Sequence, residues 1–135
     1  MRVFGLLRKR YWVLSILMIS LLFVTSCSTA SDTVNPFEQA MSSGKPTIAE
    51  FGRGTCIPCK QMKPILEEMA TEFEGRLNVV IVSIDDYQAL TSHYRIAAIP
   101  TQVVFDSEGK ELGRHIGLWP KDQIIRILPQ LGITD

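Results

Sequence analysis

The sequence predicts an α/β fold in which helices flank a central mixed β-sheet. Segments with helical periodicity alternate with short apolar segments typical of strands, in the order α-β-α-β-α-β-β-α. The last two strand segments, Thr101–Phe105 and Glu111–Ile116, enclose the turn-forming residues 106–110 and therefore predict an antiparallel hairpin. The chain has 135 residues, of which 46% are hydrophobic, and this is enough for one domain.

The first two elements are predicted from their end signals. Asn35 and Pro36 are typical of a helix start, as N-cap and first helical residue. We expect this helix to reach about Ser43 and to stop at Gly44. Thr47–Phe51 is a short apolar segment that predicts a buried strand.

A strongly periodic helical segment follows residues 52–59, and its helix is predicted to end at Gly75. Six apolar residues recur at the spacing of one helical face: Met62, Ile65, Leu66, Met69, Ala70 and Phe73. Pro64 lies inside this helix and is expected to kink it.

The second half of the chain supplies the remaining elements. Val79–Ile84 is an apolar run rich in β-branched residues and predicts a strand buried on both faces. A short helix is expected over Tyr87–Tyr94. Trp119 and Pro120 open a final helix whose apolar face has four residues, Ile124, Ile125, Leu128 and Leu131.

Residues 1–26 are predicted to be a secretory signal peptide. Four of the 14 basic residues fall in the first ten positions, and the apolar run Tyr11–Val24 and small residues follow. The run is short for a bilayer span, so an uncleaved membrane anchor is the less favoured alternative. Without this segment 10 basic residues face 14 acidic ones, and a charge of about −4 argues against nucleic-acid binding.

Residues Val24 to Cys27 resemble the lipobox of bacterial lipoproteins, in which the cysteine is lipidated and begins the mature chain. The resemblance implies lipidation of Cys27, a polar tether over residues 27–35 and a folded domain over residues 36–135. It places the domain on the extracytoplasmic, periplasmic side of the bacterial cell envelope. Ordinary cleavage near Ser26, with Cys27 left as a thiol, is the alternative. In either case the domain works where disulfide chemistry is available.

The cysteines of Cys56-Ile57-Pro58-Cys59 lie between the buried strand and the periodic helix. Unpaired N–H groups and the dipole at a helix N-terminus favour the thiolate of Cys56, and the thiolate is the form that attacks disulfides. Cys59 lies one turn inside the helix, so we expect it to be more buried and to resolve the mixed disulfide. The pair therefore predicts thiol–disulfide exchange through a redox-active Cys56–Cys59 disulfide, with no other cofactor.

Two other uses of the cysteine pair are less favoured. A zinc site needs four ligands, and the remaining candidates, His93, His115 and Cys27, lack ligand spacing, so no metal is expected. A purely structural disulfide across four residues would restrict the unfolded chain very little.

Three features together resemble the thioredoxin superfamily: Phe51–Lys60 (FGRGTCIPCK), the helix with Pro64, and Ile99-Pro100-Thr101. The resemblance covers about residues 37–131 and implies a thioredoxin-like fold. It also implies that Pro100 is a cis-proline beside the disulfide and that the backbone of Ile99 pairs with a bound substrate peptide. The expected substrate-binding residues are Pro58, Ile99, Pro100 and Gly117.

Glu50 is the only charged residue in the strand Thr47–Phe51 and stands six residues before Cys56. Thioredoxins carry a buried acid at this position, and the resemblance implies that Glu50 receives the proton of Cys59. A poorly paired buried acid has a raised pKa, which suits a general base. The alternative is a glutamate on an edge strand that reaches solvent.

The sequence departs from the usual thioredoxin pattern around this site. Thr55 stands where a tryptophan commonly precedes the first cysteine, and Ile57 replaces a glycine. Ile81 occupies the place of a basic residue beside the buried acid, and Gly52 and Gly54 make the approach to the cysteines looser. These differences concern the redox potential and the choice of partner.

The predicted function is that of a membrane-tethered, extracytoplasmic thiol–disulfide oxidoreductase that reduces disulfides in partner proteins. This direction requires a membrane electron donor. A disulfide-forming oxidase of the same fold and a non-catalytic binding module are the alternatives. The expected partners are protein thiols and disulfides, and the domain is expected to be a monomer.

Overall fold

The computed structural model describes residues 35–134, which contain one four-stranded sheet with helices on both faces. The strands are β1 (Thr47–Gly52), β2 (Asn78–Ser83), β3 (Thr101–Phe105) and β4 (Glu111–Ile116). Their order in the sheet is β2-β1-β3-β4. Strand β1 is parallel to β2 and antiparallel to β3, and β3 is antiparallel to β4. The predicted mixed α/β architecture is confirmed.

The helices are α1 (Pro36–Met41), α2 (Ile57–Glu72), α3 (Gln88–His93) and α4 (Lys121–Ile127), and a 3₁₀ turn follows at Leu128–Leu131. The side chain of Asn35 caps α1, because its Oδ1 accepts a hydrogen bond of 3.0 Å from the Phe37 N–H. Helix α1 therefore begins where predicted and ends two residues earlier than expected. Within residues 35–134, no helix has both the length and the apolar character that crossing a membrane requires.

Two apolar clusters cover the two faces of the sheet, because successive residues of a strand point to opposite sides. Ile48 of β1 belongs to the cluster under α2 and α4, with Met62, Leu66 and Trp119. Ala49 and Phe51 belong to the opposite cluster, which includes Phe37, Val103 and Phe105. Every residue of β1 is buried, as predicted, because β1 lies between two other strands and between both clusters.

Two predictions about burial are wrong. Strand β2 is an edge strand rather than one buried on both faces, and Ile81 in it is 46% exposed. β-branched residues favour extended backbone, and an edge strand provides it as well as a central strand does. The apolar run therefore predicts a strand but not its place in the sheet. Ile125 is exposed, whereas Ile124 and Leu128 are buried. Neighbouring helical residues point about 100° apart, so Ile124 and Ile125 cannot both face the core.

Shortening a core side chain of α2 is expected to weaken the fold. Leu66 is fully buried, so Leu66→Ala should lower the free energy of unfolding by about 2–5 kcal/mol. The matched control is Ile125→Ala, which removes an exposed apolar side chain and should lower it by less than about 1 kcal/mol. Urea denaturation of both variants measures the difference, and equal losses would contradict the assignment of the core.

Candidate functional site

The cysteine pair lies where the chain passes from β1 to α2. Cys56 is the N-cap residue of α2, and its Sγ accepts a hydrogen bond of 3.3 Å from the backbone N–H of Cys59. The Cys56 N–H donates to the Arg53 carbonyl oxygen at 3.0 Å, which fixes the preceding loop. Both cysteines are free thiols in the structure. A helix N-terminus that donates an N–H to sulfur stabilises a negative charge there.

The two thiols differ in exposure. Cys56 is half-buried and is followed by Ile57, which is 70% exposed, whereas Cys59 is only 7% exposed. Burial raises the pKa of the Cys59 thiol to about 11, and the hydrogen bond with Cys56 also raises it. A large partner can therefore reach Cys56, and Cys59 needs a base before it becomes a nucleophile.

Glu50 is 1% exposed and lies in the central strand β1, which excludes the alternative of an edge-strand side chain that reaches solvent. Burial raises the pKa of its carboxyl group to about 7. Among the described residues, Oε1 of Glu50 has no hydrogen-bond partner. Ile81 lies directly opposite Glu50 on β2, so this position offers the carboxylate no cation.

Gly52 keeps a gap open between Glu50 and Cys59. A Cβ at Gly52 would lie 3.2 Å from Cys59 Sγ and 3.3 Å from Glu50 Oε1. The same three residues line a cavity of about 330 Å³, together with Lys60 and Lys63 of α2 among others. More of the cavity's surface is apolar than polar, but its volume leaves room for water beside the Cys59 thiol and the Glu50 carboxyl group, so a proton can pass between these two groups through a bridging molecule.

Filling this gap is expected to destabilise the protein. The added methyl group of Gly52→Ala would meet both Cys59 and Glu50 at distances tighter than ordinary packing, which should lower the free energy of unfolding by about 1–3 kcal/mol. Gly54→Ala is the control, because a Cβ there meets nothing within 4 Å, and it should change stability by less than about 0.5 kcal/mol. Thermal denaturation compares the two variants. A Gly52→Ala protein as stable as the control would show that the gap closes freely.

The predicted substrate-binding residues come together at the same edge of the sheet. Thr101, at the start of β3, pairs with Phe51 on one side and with Ile116 on the other. Pro100 and Gly117 therefore lie beside the end of β1 from which the cysteine loop leaves. The Gly117 N–H donates to the Pro100 carbonyl oxygen at 2.8 Å, and the φ of Gly117 is +95°, a conformation that favours glycine.

The Ile99–Pro100 peptide bond is cis, as the resemblance implied. Ile99 is half-buried and Pro58 is exposed in the first turn of α2. Cys27 and the predicted signal segment 1–26 lie outside the described residues. Within residues 35–134, no group of three or more His, Cys, Asp or Glu residues is arranged to hold a metal ion.

Gln102 is a residue of this site that the sequence prediction missed. It is 0% exposed in β3 and pairs directly with Glu50 of β1. Its polar side chain inside the apolar segment Thr101–Phe105 was a visible signal, but only the strand register shows that it faces Glu50. His115, on the far side of Gln102, stacks its ring on Trp119 with 4.9 Å between the ring centroids.

A helix-capping cysteine with a second, buried cysteine one turn later, on this α/β sheet, is the site of a thiol–disulfide oxidoreductase. The family model described as Thioredoxin matches residues 28–130. The chain therefore belongs to the thioredoxin family.

Relatives of known name agree with this membership. The chain is 34% identical over 88 residues to a thioredoxin of Alicyclobacillus acidocaldarius, an alignment that covers 65% of this chain and 83% of that protein. It is 29% identical over 92 residues to a thioredoxin of Staphylococcus aureus strain Mu50, covering 68% and 86%. The crystal structure of chloroplastic thioredoxin z superposes with a TM-score of 0.61 at 32% identity, covering 69% of this chain and 83% of that one.

Proposed function

We propose that this thioredoxin-family protein reduces disulfides in partner proteins on the extracytoplasmic side of a bacterial membrane, to which its N-terminus attaches it. The observation that carries the redox part is the pairing of an accessible Cys56 at the start of α2 with a buried Cys59 beside a buried acid. The proposed location is based on the sequence of residues 1–27, which has a basic segment, an apolar segment and a lipobox-like end. These residues lie outside the described part of the chain.

In the first step, the Cys56 thiolate attacks one sulfur of the partner disulfide. A bond forms between Cys56 Sγ and that sulfur, the partner's S–S bond breaks, and the second partner sulfur leaves as a thiolate that takes up a proton. The backbone N–H of Cys59 donates a hydrogen bond of 3.3 Å to Cys56 Sγ, the attacking atom. The product is a mixed disulfide between this chain and its partner.

In the second step, Cys59 loses its proton to Glu50 and attacks Cys56 Sγ. The Cys56–Cys59 disulfide forms, the mixed disulfide breaks, and the partner leaves with two thiols, so two electrons have moved from this chain to the partner. Glu50 suits the role of base because its pKa of about 7 allows it to be ionised near neutral pH. The cavity at Gly52 provides the path for the proton.

Exposed apolar side chains of this chain surround the proposed partner-binding surface. Ile57 follows Cys56, and Ile116 and Leu118 flank Gly117; all three are large hydrophobic residues exposed to solvent. We assign the pairing with an extended partner segment to the backbone of Ile99, and the contact with its side chains to Pro58, Pro100 and Gly117. Apolar and extended segments around a disulfide are the substrate chemistry that this surface fits.

We assign the reducing direction from the likeness to thioredoxins. Glu50 beside Cys59 serves both directions, because it can take the Cys59 proton during reduction and return it when Cys59 leaves during oxidation. The reduced pair must then be restored by a membrane electron donor. The test is the reduction potential of the Cys56–Cys59 pair in the full chain, by thiol trapping in defined redox buffers. A value near about −270 mV supports the reductase, and one near about −120 mV supports a disulfide-forming oxidase.

Attachment to the membrane is tested separately. Mass spectrometry of the N-terminal peptide from the membrane fraction should find a mature chain that begins at a lipidated Cys27. A Cys27→Ser variant should keep its exchange activity and lose the lipid. An unmodified N-terminus near residue 27, or one that retains residues 1–26, would contradict lipidation and favour ordinary cleavage or an uncleaved anchor.

A further inference from the structure

Four residues form a row across the sheet on the side that faces α2. Ile81, Glu50, Gln102 and His115 are direct partners in the register of β2, β1, β3 and β4. Residues directly opposite each other in neighbouring strands point to the same face, with Cβ atoms about 4.5–5.5 Å apart in antiparallel pairs. Three of these four side chains are polar, in a layer that is otherwise apolar.

The two central side chains of the row lack partners within residues 35–134. Glu50 is 1% exposed with Oε1 unpaired, and Gln102 is 0% exposed with both Oε1 and Nε2 unpaired. Buried polar atoms in native proteins are nearly always hydrogen-bonded, directly or through water. Gln102 and Glu50 are adjacent across β1 and β3, so a rotation of either side chain can supply the hydrogen bond that the other lacks in the structure.

Every element packed around Glu50 contributes groups that surround its carboxyl group. Helix α2 presents Cys59, and Lys60 and Lys63 of the same helix also line the cavity. The β1–α2 loop contributes Cys56 and Arg53, and Arg53 is bound to Asp85 at 2.7 Å on the surface. Strand β2 presents Ile81, and β4 presents His115 beyond Gln102, with Nε2 of the imidazole 3.2 Å from the Leu118 carbonyl oxygen.

We propose that Gln102 is a positioning residue that holds the Glu50 carboxyl group in both of its protonation states. When Glu50 is ionised, Nε2–H of Gln102 donates to the carboxylate; after Glu50 has taken the Cys59 proton, Oε1 of Gln102 accepts from the new O–H. A primary amide has both a donor and an acceptor, so it serves the two states by rotating. A lysine in the same row would serve only the ionised state.

The inference rests on the proposed role of Glu50 as the base for Cys59, and the test separates the two. In Gln102→Met the shape is kept and the amide is lost. Hydrogen bonds to a charged acceptor are stronger than those to a neutral one, so the pKa of Glu50 should rise by about one unit. The carbon-13 NMR shift of the Glu50 carboxyl carbon, followed against pH in the reduced full chain, measures this directly.

The rate of the resolving step gives the second readout. In Gln102→Met the pH midpoint of Cys59 attack on a Cys56 mixed disulfide should shift upward by the same amount, with up to about a tenfold loss below the midpoint and recovery at high pH. A merely structural effect would lower the rate equally at every pH. Combined with Glu50→Gln, the Gln102→Met change should no longer move the profile.

Each outcome decides the matter. An unchanged Glu50 titration in Gln102→Met, or the same shift in a His115→Phe control that keeps an aromatic ring against Trp119, overturns the proposal. A shifted titration without a shifted rate supports the Gln102–Glu50 hydrogen bond and contradicts Glu50 as the base. Should Gln102→Met fold poorly, Gln102→Leu provides the same loss of the amide.

Discussion

A Cys56→Ser variant is expected to have no disulfide exchange activity above the uncatalysed rate, whereas Cys59→Ser should complete the first step and stop. Serine at position 56 removes the only sulfur of the pair that a protein partner reaches, since Cys59 is buried beneath it. Serine at position 59 leaves the attacking sulfur and the helix N-terminus intact, so a mixed disulfide forms and nothing resolves it.

The measurement is insulin reduction with a chemical electron donor, followed by mass spectrometry under non-reducing conditions. Cys59→Ser should accumulate a covalent 1:1 adduct with a disulfide-containing partner, and Cys56→Ser should give none. Thr55→Ala, a change at the exposed neighbour of Cys56, serves as the control and should retain turnover. Turnover by Cys56→Ser would refute the assignment of the nucleophile.

The second large effect concerns stability. The pKa of Glu50 is about 7 in the folded protein against a reference value of 4.5, so the folded state binds this proton more tightly than the unfolded state. The contribution of Glu50 to stability is therefore most favourable when both states are protonated, below about pH 4.5, and it falls as the pH rises to about 7. At about 1.4 kcal/mol for each pKa unit, the loss is about 3 kcal/mol above pH 7.

Glu50→Gln keeps the shape of the protonated acid and cannot ionise, so it should lack this pH-dependent loss. At pH 8 the variant is expected to be more stable than the parent by about 3 kcal/mol, and at pH 4.5 the two should be nearly equal. Urea denaturation of the reduced proteins at several pH values measures the difference. Glu74→Gln, which changes an exposed acid, is the control. If the free energy of unfolding changes with pH in the same way in the parent and in Glu50→Gln, Glu50 is not a destabilising buried charge.

Local signals predicted the elements whose ends depend on local chemistry. The hairpin strands Thr101–Phe105 and Glu111–Ile116 have the predicted bounds because turn residues mark both of their inner ends. The start of α1 is right because Asn35 and Pro36 are sufficient to cap and open a helix. The position of Val79–Ile84 at the sheet edge was not predictable, because strand order depends on pairings between distant segments.

The site likewise has features that local sequence predicts and features that depend on distant segments. The Cys56–Cys59 spacing and the acid six residues earlier are readable along the chain, and the structure places both as expected. The gap at Gly52 depends on how α2 packs against β1, and the pairing of Gln102 with Glu50 depends on the register of β1 with β3. Neither feature can be read from one segment of the sequence. A glycine before the cysteines predicted a looser approach to them, whereas its observed effect is space beside the buried sulfur.

At Glu50 and Gln102, the residues that favour stability differ from the residues that favour disulfide exchange. Both side chains occupy a layer where apolar residues would make a more stable protein, since exchanging both members of a buried polar pair for apolar residues is often neutral or stabilising. A library of variants sorted for the amount of folded protein is therefore expected to enrich apolar residues at positions 50 and 102. A library sorted for disulfide turnover should keep the acid and the amide, so the two positions are those where selection for abundance and selection for chemistry diverge.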